Sequence, residues 1–363
     1  MSKDRTHMRI LIITSDAHGG YGGIAEYNRN LIAALASSPR VREIVVIPRF
    51  MPGTPNGIPS KTTYVLSGLG GKFNFVWAVI SAFASRNKFD LVIYGHIHLL
   101  PLVRLPFARA MSSVLFIYGV EAWHRPRSYF LWRTVLERMS VVSISKFSLN
   151  HFLSWISVPN ERCLIIPNSV NLKAFHPGPK SPDLLNRYGL HGKKVILTIG
   201  RMSAIERAKG FDQIIDVMPA LLEQAGDVAY LAVGDGTDRP RLMEKVRRLG
   251  LQNRVIFPGY VKESEKVDHY CLADVYAMPS RLEGFGFVFL EALACGIPVV
   301  ASRLDAGPEA LHGTDRGVAV DPNDRDSLLA GLLSMLQIPV GVVPDTLENF
   351  SYEQFEKKVH SML

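Results

Sequence analysis

The sequence predicts an α/β protein built from two doubly wound, Rossmann-like domains that face a central cleft, and three observations carry that expectation. Short apolar runs rich in β-branched residues alternate with helical patterns; the alternation occurs twice; and a proline-rich stretch separates the two series. A chain of 363 residues with 47% apolar content is enough for two domains of roughly 150 to 200 residues, each able to bury its own core.

In the first series the strands are Met8 to Thr14, Glu43 to Ile47, Asp90 to Tyr94, Ser113 to Tyr118 and Val141 to Ile144. Most lack a period of two, as expected of strands buried on both faces. The segments between them are long enough for crossover helices, for example Ile24 to Ala36 and Tyr129 to Arg138. The second series runs through Lys194 to Ile199, Val228 to Val233, Arg254 to Phe257, Val275 to Met278 and Pro298 to Ala301. Between the series lie Pro167 to Asn171 and then the proline cluster from Phe175 to Pro182, which reads as the inter-domain linker. Residues 1–170 and 171–349 are the expected domains, followed by a helical pattern near 350–363. A ligand of such a pair would sit in a cleft at the carboxyl ends of the strands.

No apolar run is long and uncharged enough to span a bilayer, and Arg9 to Thr14 gives way at once to Ser15-Asp16 rather than continuing as a signal peptide. Three scattered cysteines, Cys163, Cys271 and Cys295, have no metal-binding spacing and point to a reduced, cytoplasmic setting. Net charge is +8, unevenly placed: residues 1–170 hold 19 Lys or Arg against 8 Asp or Glu, leaving 22 against 25 for the rest. Such a basic half attracts nucleic acid, anionic lipid or an anionic acceptor. The lack of zinc-finger spacing, aromatic RNA-binding motifs or Lys/Arg runs argues against nucleic acid. The interleaving of Lys72, Arg86, Lys88, Arg104, Arg109, Arg125, Arg127 and Arg133 with Phe73, Phe75, Trp77, Phe83, Phe107, Trp123, Tyr129, Phe130 and Trp132 suits a peripheral contact with an anionic membrane surface, on the inner face of the membrane. The same pattern also suits ordinary amphipathic helices with solvated Arg faces.

The most informative stretch is Glu283 to Pro298, EGFGFVFLEALACGIP. Glu283 precedes a Gly-Phe-Gly turn at a helix entry, where unpaired backbone N–H groups attract anions such as phosphate. Glu291 sits among apolar neighbours, so its carboxylate needs hydrogen-bond donors, which a ribose diol would supply; a snorkelling or ion-paired helix residue is the plainer alternative. The spacing of the two glutamates, the lead-in Pro279-Ser280-Arg281 and the exit Gly296 to Val300 together resemble the E-x7-E signature of the retaining family 4 glycosyltransferases. The resemblance extends from Arg9 to about Asp321 and implies the GT-B fold, in which the last helix returns to the first domain; Tyr352 to Met362 is the candidate. It implies that Glu283 contacts the donor sugar and Glu291 the ribose, with Gly284, Phe285, Gly286, Phe287 and Val288 presenting backbone to sugar and phosphate.

Other positions take roles from the same resemblance. Gly200-Arg201 ends a strand and Lys209-Gly210-Phe211 opens a helix, and Arg201 and Lys209 match the pair that holds the pyrophosphate and stabilises the departing nucleotide, with Arg207 close by. The glycine-rich turn Gly19, Gly20, Gly22, Gly23 matches a loop beside the donor phosphate, and Tyr260 with Val261 a lining for the nucleobase. Leu304 to Glu309 resembles a loop with a structural glutamate, Glu309. One position departs from the pattern: Tyr118, in Tyr118-Gly119-Val120-Glu121-Ala122-Trp123-His124, stands where many members carry a sugar-contacting histidine. Tyr118, Glu121, His124 and the strand-end His96 are candidates for the acceptor or sugar side. His96-Ile97-His98 lacks a third metal ligand, and Asp324-Arg325-Asp326 reads as a solvated turn, so neither metal nor other cofactor is expected.

The function so implied is retaining, metal-independent transfer of a sugar from a UDP- or GDP-sugar to a hydroxyl of a lipid-linked or polysaccharide acceptor in cell-surface glycan biosynthesis. In the mechanism usually inferred for the family, the leaving diphosphate oxygen takes the acceptor's proton. A sugar-nucleotide 2-epimerase of the same fold, or a non-catalytic nucleotide-sugar-binding protein, would use the same donor contacts.

Overall fold

The computed structural model describes residues 7–363 except 21, 86–87, 106–107, 109–110, 128–132 and 137. It divides into two compact units, Met1–Ser169 with Tyr352–Leu363, and Val170–Ser351.

The first unit contains a parallel sheet of seven strands: β1 Met8–Thr14, β2 Val41–Pro48, β3 Thr62–Tyr64, β4 Leu91–Gly95, β5 Ser112–Ile117, β6 Ser140–Ser143 and β7 Cys163–Ile165, in the order β3-β2-β1-β4-β5-β6-β7. Ile10 to Ile13 are at most 1% exposed, which is why β1 reads as an unbroken apolar run: helices or loops cover both faces of a central parallel strand. In register, Thr14 lies opposite Pro48 on one side and Gly95 on the other, so the loops after β1 and β4 leave from adjacent points of the sheet. Helices α1 Gly23–Ser37, α2 Lys72–Ala84, α3 Arg133–Leu136 and α4 Lys146–Leu153 follow in chain order, with short 3-10 turns between.

Helix α2 shows its amphipathic logic directly. Phe75, Ala78, Val79 and Phe83 recur at helical spacing and are buried in the core, while Phe73 and Trp77, one turn apart on the other face, are 91% and 70% exposed. Trp123 is buried as well, its indole N–H donating to Ser148 Oγ at 3.1 Å. Phe75, Phe83 and Trp123 therefore belong to the core rather than to a surface, whereas Lys72, Lys88, Arg104, Arg125, Arg127 and Arg133 are exposed. Arg86, Phe107, Arg109, Tyr129, Phe130 and Trp132, like Tyr21 of the glycine-rich turn, lie outside the described residues; so does much of the helix expected over Tyr129 to Arg138, of which Arg133–Leu136 is seen.

The second unit repeats the design with a six-stranded parallel sheet: β8 Lys194–Ile199, β9 Val228–Val233, β10 Val255–Gly259, β11 Val275–Met278, β12 Val299–Ser302 and β13 Gly317–Val320, ordered β10-β9-β8-β11-β12-β13. Its helices are α5 Pro182–Tyr188, α6 Phe211–Ala225, α7 Arg239–Arg248, α8 Lys266–Cys271, α9 Phe287–Ala294, α10 Gly307–Leu311 and α11 Arg325–Met335. The strand order reverses between β8 and β11. The loops at their carboxyl ends, residues 200–210 and 279–286, therefore leave in opposite directions and open a crevice, the usual ligand position of such sheets. The division between units falls at Ser169, ahead of the proline cluster: Phe175 is buried in the second unit against Tyr270, ring centroids 6.0 Å apart, and Pro182 opens α5.

The terminal helix α12, Tyr352–Ser361, belongs to the first unit. It packs on α1, with Phe355 edge-on to Tyr27 at 5.3 Å and His360 Nε2 2.7 Å from the Ala34 carbonyl.

Candidate active site at the switch point of the second sheet

Backbone contacts force the two loops of the crevice together. Gly210 has φ +82, and a Cβ there would lie 2.7 Å from the Pro279 carbonyl oxygen and from its ring, so only glycine lets the residue-200 loop close on the end of β11. The Arg281 N–H completes the junction by donating to the Ala208 carbonyl at 2.9 Å. On the other flank Gly234, φ +131, comes so near Gly200 that a Cβ would stand 1.9 Å from its carbonyl oxygen.

This closure brings Lys209 and Glu283, 74 residues apart in sequence, into an ion pair of 2.5 Å. Burial alone would depress the Lys209 ammonium, but the charge and hydrogen bond of Glu283, helped by Asp305 and Glu206, raise it above its ordinary value. It is a fixed cation. Arg201 leaves the end of β8 with its guanidinium 72% exposed, paired with Glu206 at 3.0 Å, and Arg207 Nε lies 3.4 Å from Asp238. Arg201, Arg207 and Lys209 line one shallow, solvent-open hollow together with Ser203 and Asp238. Three cations at one strand end suit an anionic group such as a diphosphate.

Glu283 stands in the turn between β11 and α9, and its position depends on a residue that sequence reasoning passed over. Asp305, 2% exposed, accepts from the Glu283 N–H at 3.0 Å and from Ser280 Oγ at 2.6 Å through Oδ2, and from the Gly307 N–H at 3.0 Å through Oδ1. The Ala306 N–H donates in turn to the Glu283 carbonyl at 3.1 Å. Burial pushes the Asp305 carboxyl upward; Ser280 and the backbone donors oppose that shift, and the charge of Glu283 adds to it. Gly284, Phe285 and Gly286 are buried, Phe285 against Phe350, while Phe287 and Val288 form the half-buried first turn of α9.

Glu291 is 2% exposed, and the donors it requires come from the chain itself: Lys266 Nζ to Oε1 and the Tyr270 hydroxyl to Oε2, both at 2.6 Å. Burial raises its carboxyl, while Lys266 and Tyr270 pull the other way. The anomaly of an apolar-flanked carboxylate is thereby explained without a ligand, and the plainer reading of an ion-paired residue describes the observed state, with Lys266 as the cation. Lys266 and Tyr270 carried a weak signal, an i,i+4 pair opening the helix before β11. At the end of β10, Tyr260 is 73% exposed and Val261 half-buried.

In the first unit the candidates separate. Gly19 and Gly20 fold into their own turn, the Gly19 carbonyl accepting from the Gly53 N–H at 2.9 Å and the Gly20 N–H donating to Ala17 at 3.0 Å; Gly22 and Gly23 are exposed at the start of α1. Tyr118 is engaged within its own unit. Its hydroxyl is buried and donates to Asn28 Oδ1 at 2.7 Å, while the Asn28 amide donates to Thr14 Oγ1 and the Asp16 carbonyl, both at 2.8 Å. Burial, with Glu121 and Asp16 nearby, holds the phenol well above its ordinary value, so it keeps its proton and offers no base near neutral pH. Glu121 caps the turn after β5, one oxygen accepting from the Tyr118 and Gly119 N–H groups at 2.6 and 3.2 Å. His96 Nδ1 accepts from the His98 N–H at 3.2 Å, and burial with the neighbouring His98 lowers its ring to about 4. His124 is exposed. Asp324 caps α11 by accepting from the Asp326 and Ser327 N–H groups. Among the described residues no group of three His, Cys, Asp or Glu could hold a metal ion.

The chain is similar to several known proteins. Residues 193–337 match the family described as Glycosyl transferases group 1. A GDP-mannose-dependent alpha-(1-6)-phosphatidylinositol monomannoside mannosyltransferase of Mycolicibacterium smegmatis is 32% identical over 57% of this chain and 56% of its own length, so the match spans about half of each protein. The O-antigen chain mannosyltransferase B of Escherichia coli is 25% identical over 91% of both chains. Anabaena HepE, solved in complex with UDP and glucose, superposes with a TM-score of 0.75 at 20% identity over 98% of this chain and 99% of its own. Residues 193–337 thus match a group 1 glycosyl transferase domain, set in a chain with the GT-B fold of solved glycosyltransferases.

Proposed function

We propose that the chain transfers a sugar, with retention and without a metal ion, from a nucleoside-diphosphate sugar to a hydroxyl of a lipid-linked or polysaccharide acceptor. The observation that carries this reading is the Lys209–Glu283 pair, a half-buried cation and a carboxylate at the two loops of the switch point, inside the matched group 1 glycosyl transferase region. GDP-mannose is the donor of first choice because the matching mycobacterial relative is named for it; UDP-sugars are the alternative.

The chain's residues divide the work as follows. Lys209 and Arg201 neutralise the diphosphate as its bond to the sugar anomeric carbon breaks, and Glu283 orients the sugar. The acceptor oxygen forms its bond on the face the diphosphate vacates, and its proton passes to the departing phosphate oxygen. The burial of the Tyr118 hydroxyl supports that route, since this residue offers no base. Positioning and charge neutralisation then supply the acceleration. Glu291 holds the ribose only by sharing oxygens that Lys266 and Tyr270 already occupy. The exposed face of α2, with Phe73 and Trp77 beside Lys72 in the basic first unit, is the part we assign to an anionic membrane surface.

Titration calorimetry with GDP, UDP, ADP and their sugar conjugates in EDTA tests this, alongside diphosphate release from GDP-mannose. Micromolar binding of one diphosphate is expected. Lys209→Ala should lower turnover about ten- to a hundredfold, the effect of one charge-assisted contact. Binding of none, or conversion of the sugar nucleotide without an acceptor to its epimer, would remove the proposal.

A further inference from the structure

Glu283 occupies an irregular turn that neither a sheet ladder nor a helix holds in place, and a side chain that must meet a donor within a fraction of an ångström needs its backbone fixed by something else. Both backbone groups of Glu283 are taken by one segment: its N–H by Asp305 Oδ2 at 3.0 Å and its carbonyl by the Ala306 N–H at 3.1 Å. Asp305 is itself immobilised by Ser280 Oγ and the Gly307 N–H. Ser280 is fully buried and Asp305 nearly so, so this carboxylate has been withdrawn from water and supplied with three donors. A carboxylate placed only to cap α10 would need the Gly307 bond alone. The other oxygen instead reaches from the β12 loop to the β11 loop and ends on the peptide of the residue that grips Lys209.

We propose that Asp305 is the positioning residue of Glu283: its Oδ2 clamps the Glu283 peptide and so sets where the Glu283 carboxylate meets Lys209 and the donor sugar. The proposal rests on the donor-site reading above. Asp305 touches no donor atom in this scheme and acts through Glu283.

Asp305→Asn isolates the clamp. If the amide oxygen keeps the Gly307 bond, its NH2 confronts the Glu283 N–H as a second donor, while the Ser280 hydroxyl can turn round and accept. Diphosphate release from GDP-mannose and UDP-glucose should fall about ten- to a hundredfold in kcat, with KM for the donor within about threefold, because geometry rather than a binding contact is lost. The distinguishing readout is a double-mutant cycle. Asp305→Asn added to Glu283→Ala should cost no more than about a further threefold, since the clamp matters only through the side chain already removed. Ser280→Ala, which loosens the same oxygen without introducing a donor, provides a second cycle should Asp305→Asn fail to fold, and the same non-additivity is expected. Wild-type turnover together with an Asp305→Asn variant of equal kcat, or losses that multiply in either cycle, would overturn the proposal while leaving the donor site standing. A wild-type protein that turns over neither donor would overturn both.

Discussion

Glu291 and Lys209 are both engaged in ion pairs, yet their surroundings predict opposite consequences of removing a charge. The Glu291 carboxylate is buried with one donor on each oxygen, so Glu291→Ala takes the nearest acceptor from both the half-buried Lys266 ammonium and the buried Tyr270 hydroxyl and leaves a gap in the core. Breaking one side of a buried pair costs about 3 to 5 kcal/mol. Lys209 is itself 30% exposed at a crevice wall, so its truncation removes little packing, in contrast to the 2% exposed Glu291. Urea unfolding should therefore show Glu291→Ala losing at least about 3 kcal/mol and Lys209→Ala less than about 1 kcal/mol, while both lose donor binding or turnover. Equal stability of the two variants would contradict the view of Glu291 as a residue with a structural duty besides any ligand contact.

At the scale of elements, α6 and α7 are tied by a charge cluster: Asp212 accepts from Arg241 at 2.9 Å and from Lys245 at 2.8 Å. Burial would raise the Asp212 carboxyl, but the bonds from Arg241 and Lys245 outweigh it and hold the group at about 2. A folded value below the ordinary 3.8 means that the unfolded chain binds the proton more readily as pH falls. The clamp therefore contributes fully above about pH 4 and is lost as pH drops towards 2. Asp212→Asn should flatten the fall in unfolding midpoint over that window, and an unchanged acid profile would remove Asp212 from the account. These elements also show what was legible in the sequence. Met8–Thr14, Lys194–Ile199, Val228–Val233 and Val275–Met278 are read to the residue, because strands buried on both faces are continuous apolar runs. The short strands β3, β7 and β13 are missed, since three or four residues at or near a sheet edge carry no period. Lys209 and Glu283 are legible as motif residues at helix entries. Asp305 is not: it acts on Glu283 from 22 residues away, through a peptide N–H that no side-chain pattern records. Tyr118 misleads for a related reason, because sequence gives its place on the strand but not the Asn28 amide that takes its hydroxyl.

For the whole molecule, the charge asymmetry and the bare face of α2 belong together. No described helix is long and apolar enough to cross a membrane, so any bilayer contact of these helices is at the surface. Sedimentation with vesicles should show binding that rises with phosphatidylglycerol content, weakens with salt and falls several-fold in a Phe73→Ser, Trp77→Ser variant. Indifference to lipid charge would count against that face. The return of α12 to the first unit has a different kind of consequence, one of time. Its Phe355 completes the packing around Tyr27, and its His360 reaches the end of α1. During synthesis the second unit has all its strands in hand before residues 352–361 emerge, so the unit begun first is the one finished last. Until then, the face of α1 that receives α12 waits uncovered. A nascent chain stalled before residue 352 should therefore hold a protease-resistant second unit beside a first unit still open to cleavage.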